Sequence, residues 1–304
     1  MTAKKNILIA GGSGFIGQYL SGHFSDNGYP VSLLGRKILK KAGHASYFWD
    51  PAKGKIDSEA LYHKDVVINL SGAGIADRLW TKKRKDIIYR SRIESTSLLV
   101  NTIIENKFLP SLFINASAIG YYGNRPGELL SEESSPGKGF VSELCIDWEK
   151  ETERLRSAGI PVAVLRIGIV LGTGGGSLSK MKLPIQYRLN ILFGKGTHFI
   201  SWIHIHDLTR IIQKLISGNL SPKIYNAVTP HPLTQLEFNS DLSNILGKKT
   251  MKITIPKMLL RFIVGDLSTV LLADQKIQPQ NLLNNNYHFS FPDLKTALHQ
   301  LLQK

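Results

Sequence analysis

The sequence predicts an α/β fold: a Rossmann-type doubly wound parallel sheet with a smaller mixed α/β lobe at its C-terminal end. Three observations predict it. A short apolar run, Ile7-Leu8-Ile9-Ala10, enters a glycine turn and then a helix that opens at Phe15. Apolar runs and helical stretches alternate from there to Ile167, the pattern of βαβ units with strands buried on both faces. Beyond Ile167 the alternation loosens, as in a second, mixed lobe. The expected division is 1–176 for the nucleotide-binding domain, with 199–229 returning to it, and 177–198 with 230–304 for the lobe.

Taken in order, the first strand and turn carry the strongest signal. Gly12, Gly14 and Gly17 fit G-x-G-x-x-G, and Gly11, Gly14 and Gly17 fit G-x-x-G-x-x-G. Between a strand and a helix, such glycines allow a tight turn and let backbone N–H groups approach a pyrophosphate at the helix N-terminus. The second strand, Tyr29 to Leu34, ends in Gly35-Arg36-Lys37. An NAD site usually has an acid here to accept from the ribose 2′-OH. Two cations suit a 2′-phosphate instead, Arg36 in a bidentate contact and Lys37 as a point charge. The expected cofactor is therefore NADP(H).

Ser46 to Asp50 reads as a third strand and Asp65 to Leu70 as a fourth, followed by the small-residue turn Ser71-Gly72-Ala73-Gly74. A helix is expected from Thr81 to Ile104. Ile88, Arg92, Ser95, Leu99 and Ile103 share one of its faces, which puts Arg92 inward. A buried guanidinium needs an anion, from a cofactor phosphate, a substrate acid or a structural carboxylate. Lys82, Lys83, Arg84 and Lys85 lack that stripe and are expected in solvent. Leu112 to Ala116 is the fifth strand, 124–139 a loop, Phe140 to Ser157 a helix and Ile160 to Ile167 the sixth strand. Gly168 to Leu178 holds five glycines and reads as either a lid over the nicotinamide end or a flexible connector. Later, 199–205 and 224–228 read as strands, 207–217 and 234–246 as helices.

Composition narrows the function classes. The chain has 304 residues, 42% of them hydrophobic and 20% charged, and a formal net charge of +15. No nucleic-acid motif accompanies that charge, so the basic run from Arg78 to Arg92 is read as a solvated helix face and nucleic acid is not expected. A small anionic substrate, nucleotide-linked among the options, fits the charge. No apolar run is long enough for a signal peptide or a membrane span, so no membrane partner is expected. With one cysteine, Cys145, an internal disulfide is impossible, and a reducing, cytoplasmic home is expected. No metal-ligand spacing is present. The oligomeric state is left open.

Together the motifs resemble a family. Gly11-Gly12-x-Gly14-Phe15-Ile16-Gly17, Asn69-Leu70-Ser71-Gly72, Leu165-Arg166-x-Gly168-Ile169 and Trp202-Ile203-His204-Ile205-x-Asp207-Leu208 resemble the extended short-chain dehydrogenase/reductases. Ser91-Arg92-Ile93-Glu94, Gly120-Tyr121-Tyr122-Gly123, Trp148-Glu149 and Tyr225-Asn226-Ala227-Val228 narrow this to an atypical "epimerase family" branch, labelled nucleoside-diphosphate-sugar epimerases, with a C-terminal lobe of unassigned function. The resemblance implies a Rossmann fold and NADP(H) binding. By the same match Leu70, Ser71 and Arg92 join Arg36 and Lys37 as cofactor contacts. Phe15, Ile16, Gly72 and Ile169 lie in the matched motifs and are counted with them. His206 stands where the branch more often has an acid.

The resemblance also exposes a gap. Active members of the superfamily pair Tyr-x-x-x-Lys with a Ser or Thr, the tyrosine passing a proton. Aligned on Trp148-Glu149, the tyrosine slot falls at Phe140 or Val141 and the lysine slot at Leu144 or Cys145. The Ser/Thr position falls at Ser117 or Ala118. Candidate replacements are Ser117, Tyr121, Tyr122, Cys145 and His204, each with an ordinary structural role as the alternative. Two readings follow: an NADP(H)-dependent oxidoreductase or epimerase with a non-standard proton carrier, or a non-catalytic protein that responds to NADP(H).

Overall fold

Residues 4–38 and 43–302 are described by the computed structural model. The apolar run Ile7–Ala10 forms β1, buried throughout, and α1 (Phe15–Asp26) follows the glycine turn. Next come β2 (Val31–Gly35), β3 (Ala45–Asp50), β4 (Lys55–Ile56), β5 (Val66–Asn69) and the long helix α2 (Lys82–Glu105). Thr81 caps α2, its hydroxyl accepting from the Arg84 N–H. The chain continues through β6 (Leu112–Ala118), β7 (Leu129–Leu130), α3 (Phe140–Lys150), α4 (Glu153–Ser157) and β8 (Val162–Ile167). Then follow β9 (Ile169–Leu171), α5 (Gly176–Gln186), β10 (Leu189–Phe193), β11 (Phe199–Ile200), β12 (Trp202–His204), α6 (Ile205–Ile216) and β13 (Ile224–Ala227). The last part holds β14 (Leu233–Thr234), α7 (Gln235–Ile245), β15 (Met251–Ile255), α8 (Lys257–Val264), α9 (Ser268–Leu271), β16 (Lys276–Ile277), α10 (Gln280–Asn284) and α11 (Leu294–Leu302).

Eight strands make the central sheet in the order β13-β8-β6-β5-β1-β2-β3-β4, parallel except for β4 on the edge. The chain order reverses at β1, which has β2 on one side and β5 on the other. In an open α/β sheet, a crevice forms at the carboxyl ends of the strands flanking such a reversal. The strand alternation explains the two layers. Ile7 and Ile9 pack into the core with α1 and α6, and Leu8 and Ala10 into the core with α2. Each fully buried Ile or Leu contributes about 1.5–3 kcal/mol relative to exposure.

Four segments differ from the sequence expectation; one, the strand expected over 199–205, is split into β11 and β12, which pair with β14 and β9. The helix expected over 140–157 is two helices, because the Thr152 hydroxyl turns back to the Glu149 carbonyl at 2.7 Å and interrupts it. The expected loop 124–139 contains β7, which pairs with β16 from the far end of the chain. The glycine-rich stretch after Ile167 is partly strand, β9 pairing with β12. Its glycines then close on an aromatic ring. A Cβ at Gly172, Gly175 or Gly176 would lie 2.7, 3.0 or 2.8 Å from the Phe15 ring.

Two glycines of α1 give a direct test of this packing. A Cβ on Gly17 would fall 2.4 Å from the Gly11 carbonyl oxygen, whereas one on Gly22 meets nothing within 4 Å. Gly17→Ala is expected to destabilise by about 1–3 kcal/mol, and Gly22→Ala to stabilise by about 0.5–1 kcal/mol. Urea unfolding of the two variants checks the opposite signs.

Candidate functional site

The crevice is built first from backbone. Gly11 has φ +83°, and a Cβ there would sit 2.8 Å from the Leu70 carbonyl oxygen, so the turn after β1 presses on the end of β5. Gly17 lets α1 start directly against that turn. Gly14 is different: it is exposed, with ordinary extended φ −74° and ψ 165°, and it precedes α1 without a side-chain cap. No acid lies in the first turn of α1, so its free N–H groups keep their partial positive charge. Phe15 and Ile16 are half-buried at the start of the helix, on the α1/α6 core.

The opposite wall is the turn after β5. Asn69 is fully buried and donates to Thr96 and to Asn115, each at 2.8 Å, while its own Oδ1 accepts from the Ser71 N–H at 3.2 Å. Trp148 donates to the same Thr96 hydroxyl at 2.9 Å. This network fixes Leu70, Ser71 and Gly72. The Ser71 hydroxyl itself is buried and has no hydrogen-bond partner. Gly72 lies under Arg92: a Cβ there would come 3.0 Å from the guanidinium carbon.

Arg92 is on the inward stripe of α2, in line with the buried Ile88, Ser95, Leu99 and Ile103. It donates to the Ile88 carbonyl at 3.0 Å and lies 5.2 Å from the Trp148 ring centre. Among the described residues it forms no ion pair with any carboxylate; its titratable neighbours are the protonated thiol of Cys145 and the cation Arg84. Burial lowers its pKa to about 10, so the group stays cationic at neutral pH. The salt-bridge alternative is therefore not the one observed. Arg36 and Lys37 follow β2, exposed at the same carboxyl edge, and Ile169 begins β9. Of the basic run, Lys82 and Lys83 are exposed as expected, but Arg84 and Lys85 are not. Both are half-buried, Arg84 donating to the Gly74 carbonyl and Lys85 pairing with Asp266.

The proposed proton carriers lie mostly in a second buried network. Arg166 in β8 grips Glu149 in α3 through two hydrogen bonds of 2.9 Å, with side-chain exposures of 3% and 11%. Ser117 donates to the same carboxylate at 2.6 Å. Tyr122 is fully buried, donates to Asn226 at 2.6 Å and accepts from Arg166 at 3.0 Å, and its pKa is pushed up to about 12 by burial. Cys145 is buried and its thiol is pushed up to about 11, again by burial. Tyr121 stacks on Arg166, whose guanidinium carbon is 3.4 Å from the ring centre, and its hydroxyl meets no partner among the described residues. His204 serves as a helix cap. Its Nδ1 accepts from the His206 N–H at 3.1 Å, which leaves Nε2 to donate to Gln300 at 3.1 Å. The departure at His206 stands on α6 with a buried Nδ1 that has no partner. Glu149, Arg166 and Asn226 stand in the sequence only as motif letters; the one signal for their union was Arg166, a lone charge inside the otherwise apolar β8.

Residues 7–227 match the NAD dependent epimerase/dehydratase family, and residues 255–301 match a domain of unknown function, DUF1731. An epimerase family protein of Staphylococcus aureus is 32% identical over 304 residues, covering 99% of this chain and 100% of its own. The human epimerase family protein SDR39U1, crystallised with NADPH, is 30% identical with a TM-score of 0.84, over 98% of this chain and 99% of that one. A UDP-glucuronic acid 4-epimerase from Bacillus cereus, in complex with UDP-glucuronic acid and NAD, is 19% identical with a TM-score of 0.78 over 97% of each chain, a likeness of fold.

The capping role of His204 predicts a pH dependence. Burial, the largest effect, lowers its pKa from 6.5 to about 4. The folded state thus binds its proton less readily than the unfolded one, and stability is lost as pH falls from 6.5 towards 4, by at most about 3 kcal/mol. His204→Asn keeps a capping oxygen without the titration. Urea unfolding at a series of pH values should show the acid loss reduced in that variant.

Proposed function

Because the chain belongs to the NAD dependent epimerase/dehydratase family, we propose that it is an atypical short-chain dehydrogenase/reductase that binds NADP(H) at the carboxyl ends of β1, β2 and β5. The observation that carries this is two polar groups on one wall: the buried Ser71 hydroxyl, which has no hydrogen-bond partner, and the Arg92 guanidinium, which has the Ile88 carbonyl but no anion. Ser71 borders the glycine turn at Gly11, and Arg92 lies over the neighbouring Gly72. An anionic ligand on this wall supplies what both groups lack. Arg36 and Lys37 serve the 2′-phosphate; Gly11, Gly14 and Gly17, with the N–H groups of Phe15 and Ile16, serve the pyrophosphate. Leu70, Gly72 and Ile169 line the cofactor. In this reading 1–176 with 199–229 holds the cofactor, and 177–198 with 230–304 holds a small anionic, nucleotide-linked substrate.

When bound, the nicotinamide supplies or accepts hydride at C4. Oxidoreductase or epimerase chemistry then rests on a proton carrier, and Tyr121 is the candidate whose hydroxyl is free. The second reading, a non-catalytic NADP(H)-responsive protein, is favoured by the engagement of the others: Ser117 is held by Glu149, Tyr122 by Asn226 and Arg166, His204 by α6 and Gln300, and Cys145 is buried.

Calorimetric titration tests the cofactor assignment. NADPH is expected to bind much more tightly than NADH, and Arg36→Ala to lose about 1.5–3 kcal/mol of NADPH affinity, the range for a charge-assisted hydrogen bond. Gly14→Val should still fold, since Gly14 is exposed and extended and a Cβ there meets only the Gly11 carbonyl oxygen, at 3.3 Å, yet lose NADPH. Arg92→Met should weaken NADPH far more than Lys83→Met. Equal affinities for the two cofactors would refute the 2′-phosphate site, and full NADPH affinity in Gly14→Val would refute the turn.

A further inference from the structure

We infer that α8 lays its apolar face on an anionic phospholipid surface. The helix spans Lys257–Val264 and lies inside the matched domain of unknown function. Leu260 is its buried contact, with Val264 half-buried beside it, packed towards 265–267 and α9. The opposite face is apolar and stands in water. Met258 is 83% exposed, Leu259 48%, Phe262 89% and Ile263 53%. At helical spacing 258, 259, 262 and 263 form one continuous arc, while Lys257 and Arg261, both exposed, flank it on the other side of the buried edge. Four large apolar side chains on one arc of a surface helix are not the scattered exposures of an ordinary surface.

Charge selects the occupant. From Leu242 to Gly265 the chain has Lys248, Lys249, Lys252, Lys257 and Arg261 and not one Asp or Glu. The acids at either end of that stretch are already paired, Asp241 with Lys295 at 3.9 Å and Asp266 with Lys85. None of the five cations forms an ion pair among the described residues. A second copy docked on this face in a twofold arrangement would set the same uncompensated cations against each other, on a chain whose net charge is already +15. An anionic headgroup layer answers both features: it neutralises Lys257 and Arg261 and admits the phenyl and aliphatic groups to the acyl boundary. The sequence expectation of no membrane partner rested on the length of apolar runs. Among the described residues no helix is long and apolar enough to cross a membrane, and a helix lying in the interface needs no such length.

Sedimentation of the full chain with vesicles tests this. Wild type should pellet with phosphatidylcholine–phosphatidylglycerol vesicles and not with phosphatidylcholine alone, and salt should release it. Met258→Ser with Phe262→Ser, both on the exposed face, should keep the melting temperature and lower vesicle affinity by about tenfold or more. Lys257→Gln with Arg261→Gln should remove the preference for the anionic lipid. No pelleting with either vesicle, or equal pelleting of wild type and the double serine variant, would overturn the proposal. So would a wild-type dimer that the double serine variant converts to monomer in analytical ultracentrifugation, since that would assign the face to a second copy.

Discussion

The contact on which the crevice depends is backbone against backbone: the turn after β1 lies on the end of β5. Gly11 faces the Leu70 carbonyl and Gly17 faces the Gly11 carbonyl, at distances that leave no room for a Cβ. This closeness brings the start of α1 and the Ser71-Gly72 turn to the two sides of one gap at the point where the strand order reverses. Gly172, Gly175 and Gly176 extend the same economy of space, pressing the far side of the site onto Phe15. The site is therefore shaped by absent side chains, and its charge comes from outside the turn.

The second constraint is the Arg166–Glu149 pair. Two buried, oppositely charged groups with their hydrogen bonds filled tie β8 to α3, and through Ser117 to β6. Such a pair gives little net stability relative to an apolar replacement, but removing one partner strands the other and costs about 3–5 kcal/mol. Its consequence for chemistry is larger. The hydroxyls of Ser117 and Tyr122 both join it, Ser117 donating to Glu149 and Tyr122 accepting from Arg166, so two of the candidate proton carriers are already hydrogen-bonded within this network.

Much of this was legible beforehand. The strand, turn and helix at Ile7 to Asp26 were readable because apolar period and glycine spacing are local properties. The inward aspect of Arg92 followed from its helical stripe. What the sequence did not reveal depends on residues distant in the chain. β7 exists because β16 pairs with it; the break after Lys150 depends on one threonine hydroxyl. Arg84 and Lys85 look like solvent residues in a basic run, yet each finds a partner brought in by folding, the Gly74 carbonyl and Asp266. His204 could be read as core or catalytic from its strand, and only the position of Gln300 shows that both ring nitrogens are used.

The central claim is that this wall of the crevice is an NADP(H) site, and a crystal structure of the chain grown with NADPH tests it most directly. The account predicts the pyrophosphate over the Gly11–Gly17 turn, the 2′-phosphate within hydrogen-bond distance of Arg36, and Ser71 Oγ and Arg92 each bonded to the cofactor. NADPH bound elsewhere, or a 2′-phosphate in solvent with the Ser71 hydroxyl still unpartnered and Arg92 still without an anion, would contradict it.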